Sequence, residues 1–205
     1  MNIVINMACV PLDGHNIRKL LEENAKIIPY ADLCMYSHID KLLHKTYDYV
    51  VVLLDDHHFH NESPCAFPCT GHKKATTKGH WIAILKYHNE YELFDSISEN
   101  SMKYMKQPLF SQLFDGKTCY VNTVPFQKTD ENISTCGHHV VHRVYHFIKQ
   151  RMNLEDYIVL MSDLKMQKVG GYDFIVSDFV LERYKNSKHQ LNLSLIHISE
   201  PTRPY

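Results

Sequence analysis

The chain lacks any run of the roughly 18 consecutive apolar residues that a membrane-spanning helix requires. Its longest apolar stretch, Val50-Val51-Val52-Leu53-Leu54, reads instead as a buried strand. Net charge is nearly absent too: 22 Lys and Arg stand against 23 Asp and Glu, a formal −1. That excludes an overall electrostatic pull toward nucleic acid or an anionic membrane. The N-terminus, Met1-Asn2-Ile3-Val4-Ile5-Asn6-Met7, has neither the basic nor the long apolar segment of a secretory signal, so an intracellular, non-secreted protein is expected. Without an export signal, the six cysteines at positions 9, 34, 65, 69, 119 and 136 are expected as free thiols rather than a disulfide framework. There is no internal repeat, and no basic cluster to hold the phosphates of an acyl-CoA.

What the chain does contain is ordinary globular composition, 44% hydrophobic and 22% charged. Its 205 residues suit one domain with a sizeable core. Histidine is abundant, 15 residues, so positive charge builds steeply below neutral pH. Asp13 or Gly14 opens a helical pattern through Ile17, Leu20, Leu21 and Ala25 that Pro29 stops, and a second short helix covers about 37–44. Strands are expected at 47–54, 80–87, 91–95 and 118–126, with a hairpin turn at Asn89-Glu90. A helix interrupted at Pro108 spans 101–114. The polar stretch 55–78 reads as a long loop. Helices follow at 136–152, 154–161 and 172–184. Helices before and after a central group of strands predict an α+β fold with a mostly antiparallel sheet.

The chemistry concentrates in four places. Cys136-Gly137 opens the apolar-periodic run Val140, Val141, Val144, Tyr145, Phe147 and Ile148, which puts the cysteine at a helix N-terminus where the dipole favours thiolate. His80 starts one strand and Asp95 ends the next, so antiparallel pairing would place both at one edge of the sheet. A carboxylate beside an imidazole fixes its tautomer and stabilises its cation, and that cation would hold Cys136 as a nucleophilic thiolate. Gln127 offers an amide donor for a developing oxyanion. A buried cysteine, a surface histidine or a strand-ending aspartate is commonplace alone; their joint order is not.

Gly79-His80-Trp81-Ile82-Ala83-Ile84, Tyr91-Glu92-Leu93-Phe94-Asp95-Ser96, Gln127 and Thr135-Cys136-Gly137 together resemble the signature of adenovirus-type cysteine proteases and their relatives, the SUMO/ubiquitin-like-protein proteases. The resemblance covers about 79–150, and the segment with Asp173, Val176 and Phe179-Val180 also resembles the closing segment of viral and transposon-borne members. It implies the papain-like fold of that group. Cys136 would be the nucleophile, His80 the base, Asp95 its orienter and Gln127 the oxyanion donor, with Trp81, Gly137 and His138 lining the substrate cleft. It further implies a protease that matures capsid or core proteins near glycine-containing sites, acting in host cytoplasm, nucleus or virion, with a peptide or DNA activator conceivable. The runner-up is an isopeptidase that cleaves ubiquitin-like conjugates after Gly-Gly. No metal or other cofactor is expected.

Two rival readings rank lower. Cys65, Cys69 and His72, with His57, His58 and His60 nearby, have zinc-ligand types without a clean zinc spacing, so a zinc-stabilised interaction module is disfavoured. His138, His142 and His146 recur every four residues on one helix face, expected to face solvent rather than bind metal. Finally, Leu193-Ser194-Leu195-Ile196-His197-Ile198-Ser199-Glu200-Pro201-Thr202-Arg203 resembles the translation of a sequencing adapter. The expected domain is therefore 1–192, with 193–205 an artefactual tail.

Overall fold

The computed structural model describes residues 11–22, 25–44, 47–55, 79–98, 104–129, 133–168 and 170–197. Its centre is the pair of apolar runs expected as strands, β2 (Tyr49–Asp55) and β3 (Gly79–Tyr87), antiparallel with Val51 opposite Ala83. β4 (Glu90–Phe94) extends β3 through a tight turn in which His88 adopts φ 51°. Two short strands complete a five-stranded sheet in order β1-β2-β3-β4-β5. β1 (Ile27–Pro29) pairs with β2 and β5 (Cys119–Val121) with β4, both in parallel. The antiparallel character is thus confined to the centre.

β2 and β3 are apolar without interruption because both faces of the sheet are covered, so the alternation of side chains sends every residue into a core. On one face Val51, Leu53, Trp81, Ala83, Leu85 and Phe94 pack against Val140, Val141 and Val144 of α4 (Cys136–Gln150). This core also takes in α1 (Gly14–Leu20), α5 (Leu154–Gln167) and α6 (Gly171–His197). On the other face Val50, Val52, Leu54, Ile82, Ile84 and Leu93 meet Leu33 of a 3-10 turn (Tyr30–Met35), Leu42 of α2 (Ile39–Leu42) and Phe110 of α3 (Pro108–Leu113).

Several expectations shift for local reasons. Pro29 does not stop α1, which is capped by Asp13 (its Oδ1 accepts from Asn16 N at 2.7 Å) and ends at Leu20. Pro29 instead closes the edge strand β1, where a missing N–H is tolerated. Pro108 begins α3 at the first helical position, where its fixed φ is favourable, while 101–103 of the helix expected before it lie outside the described residues. β5 covers three residues rather than the nine expected, because beyond Val121 the chain turns into the site described below. α6 runs through the first residues of the tail expected to be artefactual. Among the described residues, no helix is long and apolar enough to cross a membrane.

Candidate active site

Asp95 follows the last registered residue of β4, Phe94, which lies opposite Ala83 of β3. That register carries the carboxylate to the sheet edge where β3 begins with Gly79-His80. His80 Nε2 stands 2.6 Å from Asp95 Oδ1, and Asp95 is fully buried. The other ring nitrogen is left for Cys136, with which His80 makes a side-chain hydrogen bond. Cys136 is the first residue of the 15-residue α4, and its sulfur also accepts from the backbone N–H groups of Trp81 and Gly137.

The electrostatics follow from this geometry. Burial alone would lower the His80 pKa, but the hydrogen bonds to Asp95 and Cys136 overcome it and push it up to about 10. Burial alone would raise the Cys136 thiol, yet the hydrogen bond to His80 and that cation's charge hold it below its ordinary value. Asp95 is likewise held low against its burial, chiefly by the hydrogen bond from His80. Each charge is stabilised by the next, so the set favours imidazolium and thiolate together.

Gln127 stands in the segment after β5. Its backbone N–H donates to Ser96 O at 2.9 Å, and Ser96 Oγ donates to Gln127 Oε1 at 2.8 Å. Pinning the amide oxygen in this way leaves the amide N–H₂ as the end that can donate elsewhere, the requirement for an oxyanion donor. Gly137 is required by packing. A Cβ there would stand 3.0 Å from Leu12 Cβ and 3.4 Å from Trp81 Cδ1, so a larger residue would push the helix start away from β3.

Trp81, Gly137 and His138, expected to line a cleft, are buried alongside Cys136, which is itself 7% exposed. Trp81 is 7% exposed and its indole N–H donates to Leu12 O at 2.9 Å; Gly137 is buried beneath it. His138 is 1% exposed, and burial pushes its pKa down to about 4. Of the histidine row expected to face solvent, His138 and His142 are buried and His146 is half-buried. His142 is 2% exposed, with Nδ1 2.9 Å from Tyr157 Oη of α5, because α5 and α6 lie across that side of α4. The cause is the extra helix-covered surface: α4 packs against sheet and helices at once, so a polar residue type on it is not a surface marker. No group of three or more His, Cys, Asp and Glu is placed to hold a metal ion among the described residues; Cys65, Cys69 and His72 lie outside them.

Several supporting residues carry no signal in the sequence pattern. Asn122, 1% exposed, brackets Asp95: its Oδ1 accepts from Asp95 N and its Nδ2 donates to Asp95 O, both at 2.7 Å. Ile97 N donates to Asp95 Oδ1 at 3.0 Å, and Tyr104 adds a side-chain hydrogen bond to that carboxylate. Glu92, an acid on β4 three residues before Asp95, is committed to Arg143, whose Nε and Nη2 reach its two oxygens at 2.8 and 2.6 Å.

No protein-family model matches the chain, and no curated protein matches it in sequence. Among solved structures, a de-sumoylating protease is 17% identical, covering 90% of this chain and 78% of that one, with a TM-score of 0.28. So loose a superposition carries no residue roles across. What stands is a mixed α+β protein with a five-stranded sheet flanked by helices.

Proposed function

We propose that this protein is a cysteine peptidase. The observation that carries the reading is the single line of contacts from buried Asp95 through His80 to Cys136 at the N-terminus of α4. In this reading the Cys136 thiolate attacks a peptide carbonyl carbon, and the carbonyl electrons move onto oxygen. Gln127 Nε2 donates to that oxyanion. The tetrahedral intermediate collapses as the His80 imidazolium gives its proton to the departing amine, leaving an acyl-enzyme. His80, now neutral, takes a proton from water, whose oxygen attacks the thioester; a second collapse releases the acid and restores the thiolate. Asp95 keeps the imidazole in the tautomer and orientation that both transfers need.

For the substrate, the motif resemblance supports a maturation protease that cuts capsid or core precursors near glycine-containing sites. A ubiquitin-like conjugate ending in Gly-Gly is the competing protein substrate. Both place small residues beside the scissile bond.

The test begins with brief chloroacetamide treatment at pH 6, mapped over all six cysteines. An ordinary thiol with pKa about 8.5 is almost wholly protonated there. Selective labelling of Cys136 that disappears in His80→Ala is expected; uniform slow labelling of all six would sink the reading. A glycine-containing peptide library and a ubiquitin-like probe with a C-terminal electrophile then separate the two substrates. Capture of the probe at Cys136 with no peptide turnover would replace the maturation reading by the isopeptidase one.

A further inference from the structure

The proposed mechanism leaves one buried acidic group beside the nucleophile unused. Asp173, in the first turn of α6, is 8% exposed and receives three hydrogen bonds from two other parts of the chain. Lys128 N donates to Oδ2 at 3.2 Å, while Thr135 Oγ1 and His139 Nε2 (3.1 Å) both reach Oδ1. Lys128 directly follows the oxyanion candidate Gln127, and Thr135 directly precedes Cys136. Thr135 is the N-cap of α4, yet its hydroxyl makes no capping bond to the helix and is turned to Asp173 instead. Residues of this type usually cap the helix they precede.

We infer that Asp173 is a positioning residue, a clamp that holds the Gln127 loop against the N-terminus of the nucleophile helix and so fixes the donor-to-sulfur geometry. This inference deepens the peptidase reading and rests on it. Ser96 restrains Gln127 from the β4 side, and Asp173 restrains the same loop from the α4 side. Without the second restraint nothing else described ties Lys128 to α4. An oxyanion donor acts only when it is fixed within a few tenths of an ångström of the developing charge, so loosening the loop removes its effect without touching the thiolate.

The chemistry of the cluster provides a selective lesion. All three partners donate, which a carboxylate can accept and an amide cannot. In Asp173→Asn the new N–H₂ either faces the Lys128 N–H, two donors together, or faces Thr135 and His139. The second choice forces His139 into the tautomer that carries its proton on Nδ1, an atom that is buried with no acceptor. The first choice breaks the Lys128 arm, and the second weakens the α4 arm through a buried N–H without an acceptor, both at constant side-chain volume.

The experiment is a double-mutant cycle between Asp173→Asn and Gln127→Ala on the full chain, read by steady-state kinetics on a cleaved peptide from the library. Asp173→Asn alone is expected to lower kcat about tenfold or more with KM little changed, while pH 6 labelling of Cys136 stays selective. In the Gln127→Ala background the same substitution is expected to add less than about twofold, because its target is already gone. Equal losses in both backgrounds, or loss of selective labelling, would overturn the clamp. Thr135→Val, which removes one arm and keeps the shape, replaces Asp173→Asn in the cycle if that variant fails to fold. Amide exchange at Lys128 separates the two ideas. If the parent shows no Cys136-dependent turnover the peptidase reading fails, and unchanged Lys128 exchange in Asp173→Asn refutes the clamp by itself.

Discussion

Two histidine–aspartate pairs lie near Cys136, one through His80, which hydrogen-bonds its sulfur, and one through His139, three residues along α4, and the protein drives them in opposite directions. In the pair at the sheet edge, His80 Nε2 is 2.6 Å from Asp95, and the histidine pKa is pushed up to about 10. In the pair between α4 and α6, His139 Nε2 is 3.1 Å from Asp173, and the histidine is held below its ordinary value. An adjacent carboxylate therefore does not make an imidazolium. His80 has a second anionic partner in the Cys136 thiolate, whereas the Asp173 charge is shared with Thr135 and Lys128. His139 is also fully buried and repelled by the His80 cation. Burial is the largest influence on both rings and is overcome only where two anions converge.

The largest expected effect falls on the sulfur. Cys136→Ala should reduce turnover by about 10⁴-fold or more with circular dichroism unchanged, measured as peptide hydrolysis. Turnover near the parental level in that variant would remove the functional difference between the pairs. Asp95→Asn comes next, with kcat lowered on the order of 10²–10⁴-fold through a misoriented base. The sharper readout is thiolate labelling at pH 6, which should be lost in Asp95→Asn and kept in Asp173→Asn; loss in both would mean the pairs are not distinct. Gln127→Ala should lower kcat about 10²–10³-fold while labelling persists.

The smallest effects are on stability. His138 has its folded pKa lowered to about 4 from 6.5, so between those values the unfolded chain binds the proton and the folded one does not. Stability is thus lost as pH falls from 6.5 toward 4, by up to about 3 kcal/mol for this residue. His80, raised to about 10, contributes in the other sense: its stabilisation is complete below pH 6.5 and is lost as pH rises through 10. Urea unfolding midpoints of His138→Leu should accordingly depend less on pH between 4 and 6.5 than those of the parent. A parallel dependence in both would mean that another group governs the acid limb.

His80, Asp95 and Cys136 were legible as candidates because each sits at or beside a strand or helix end, where local chemistry marks the boundary; Gln127, six residues beyond the end of β5, was not marked in that way. Also legible were β2, β3, β4 and α4, whose apolar spacing reports burial directly. The edge strand β1 and the parallel pairing of β1 and β5 were not legible. They are three residues long, and their partners are chosen by the sheet rather than by their own sequence. The histidines of α4 misled for a related reason. A polar residue on a helix faces solvent only if nothing packs there, and α5 and α6, distant in sequence, cover that side.

The sequence by itself therefore determined the candidate groups His80, Asp95 and Cys136, their order and the elements that carry them, because residue type and short-range periodicity encode those directly. Only the tertiary structure decided that Asp173 stands beside His139, that Asn122 and Tyr104 brace Asp95, that Trp81 and His138 are enclosed, and that Asp173 bridges Lys128 to the N-terminus of α4. Those outcomes depend on hydrogen bonds and burial between segments far apart in the chain, such as the two 2.7 Å bonds exchanged between Asn122 and Asp95. No local pattern can specify such a distance.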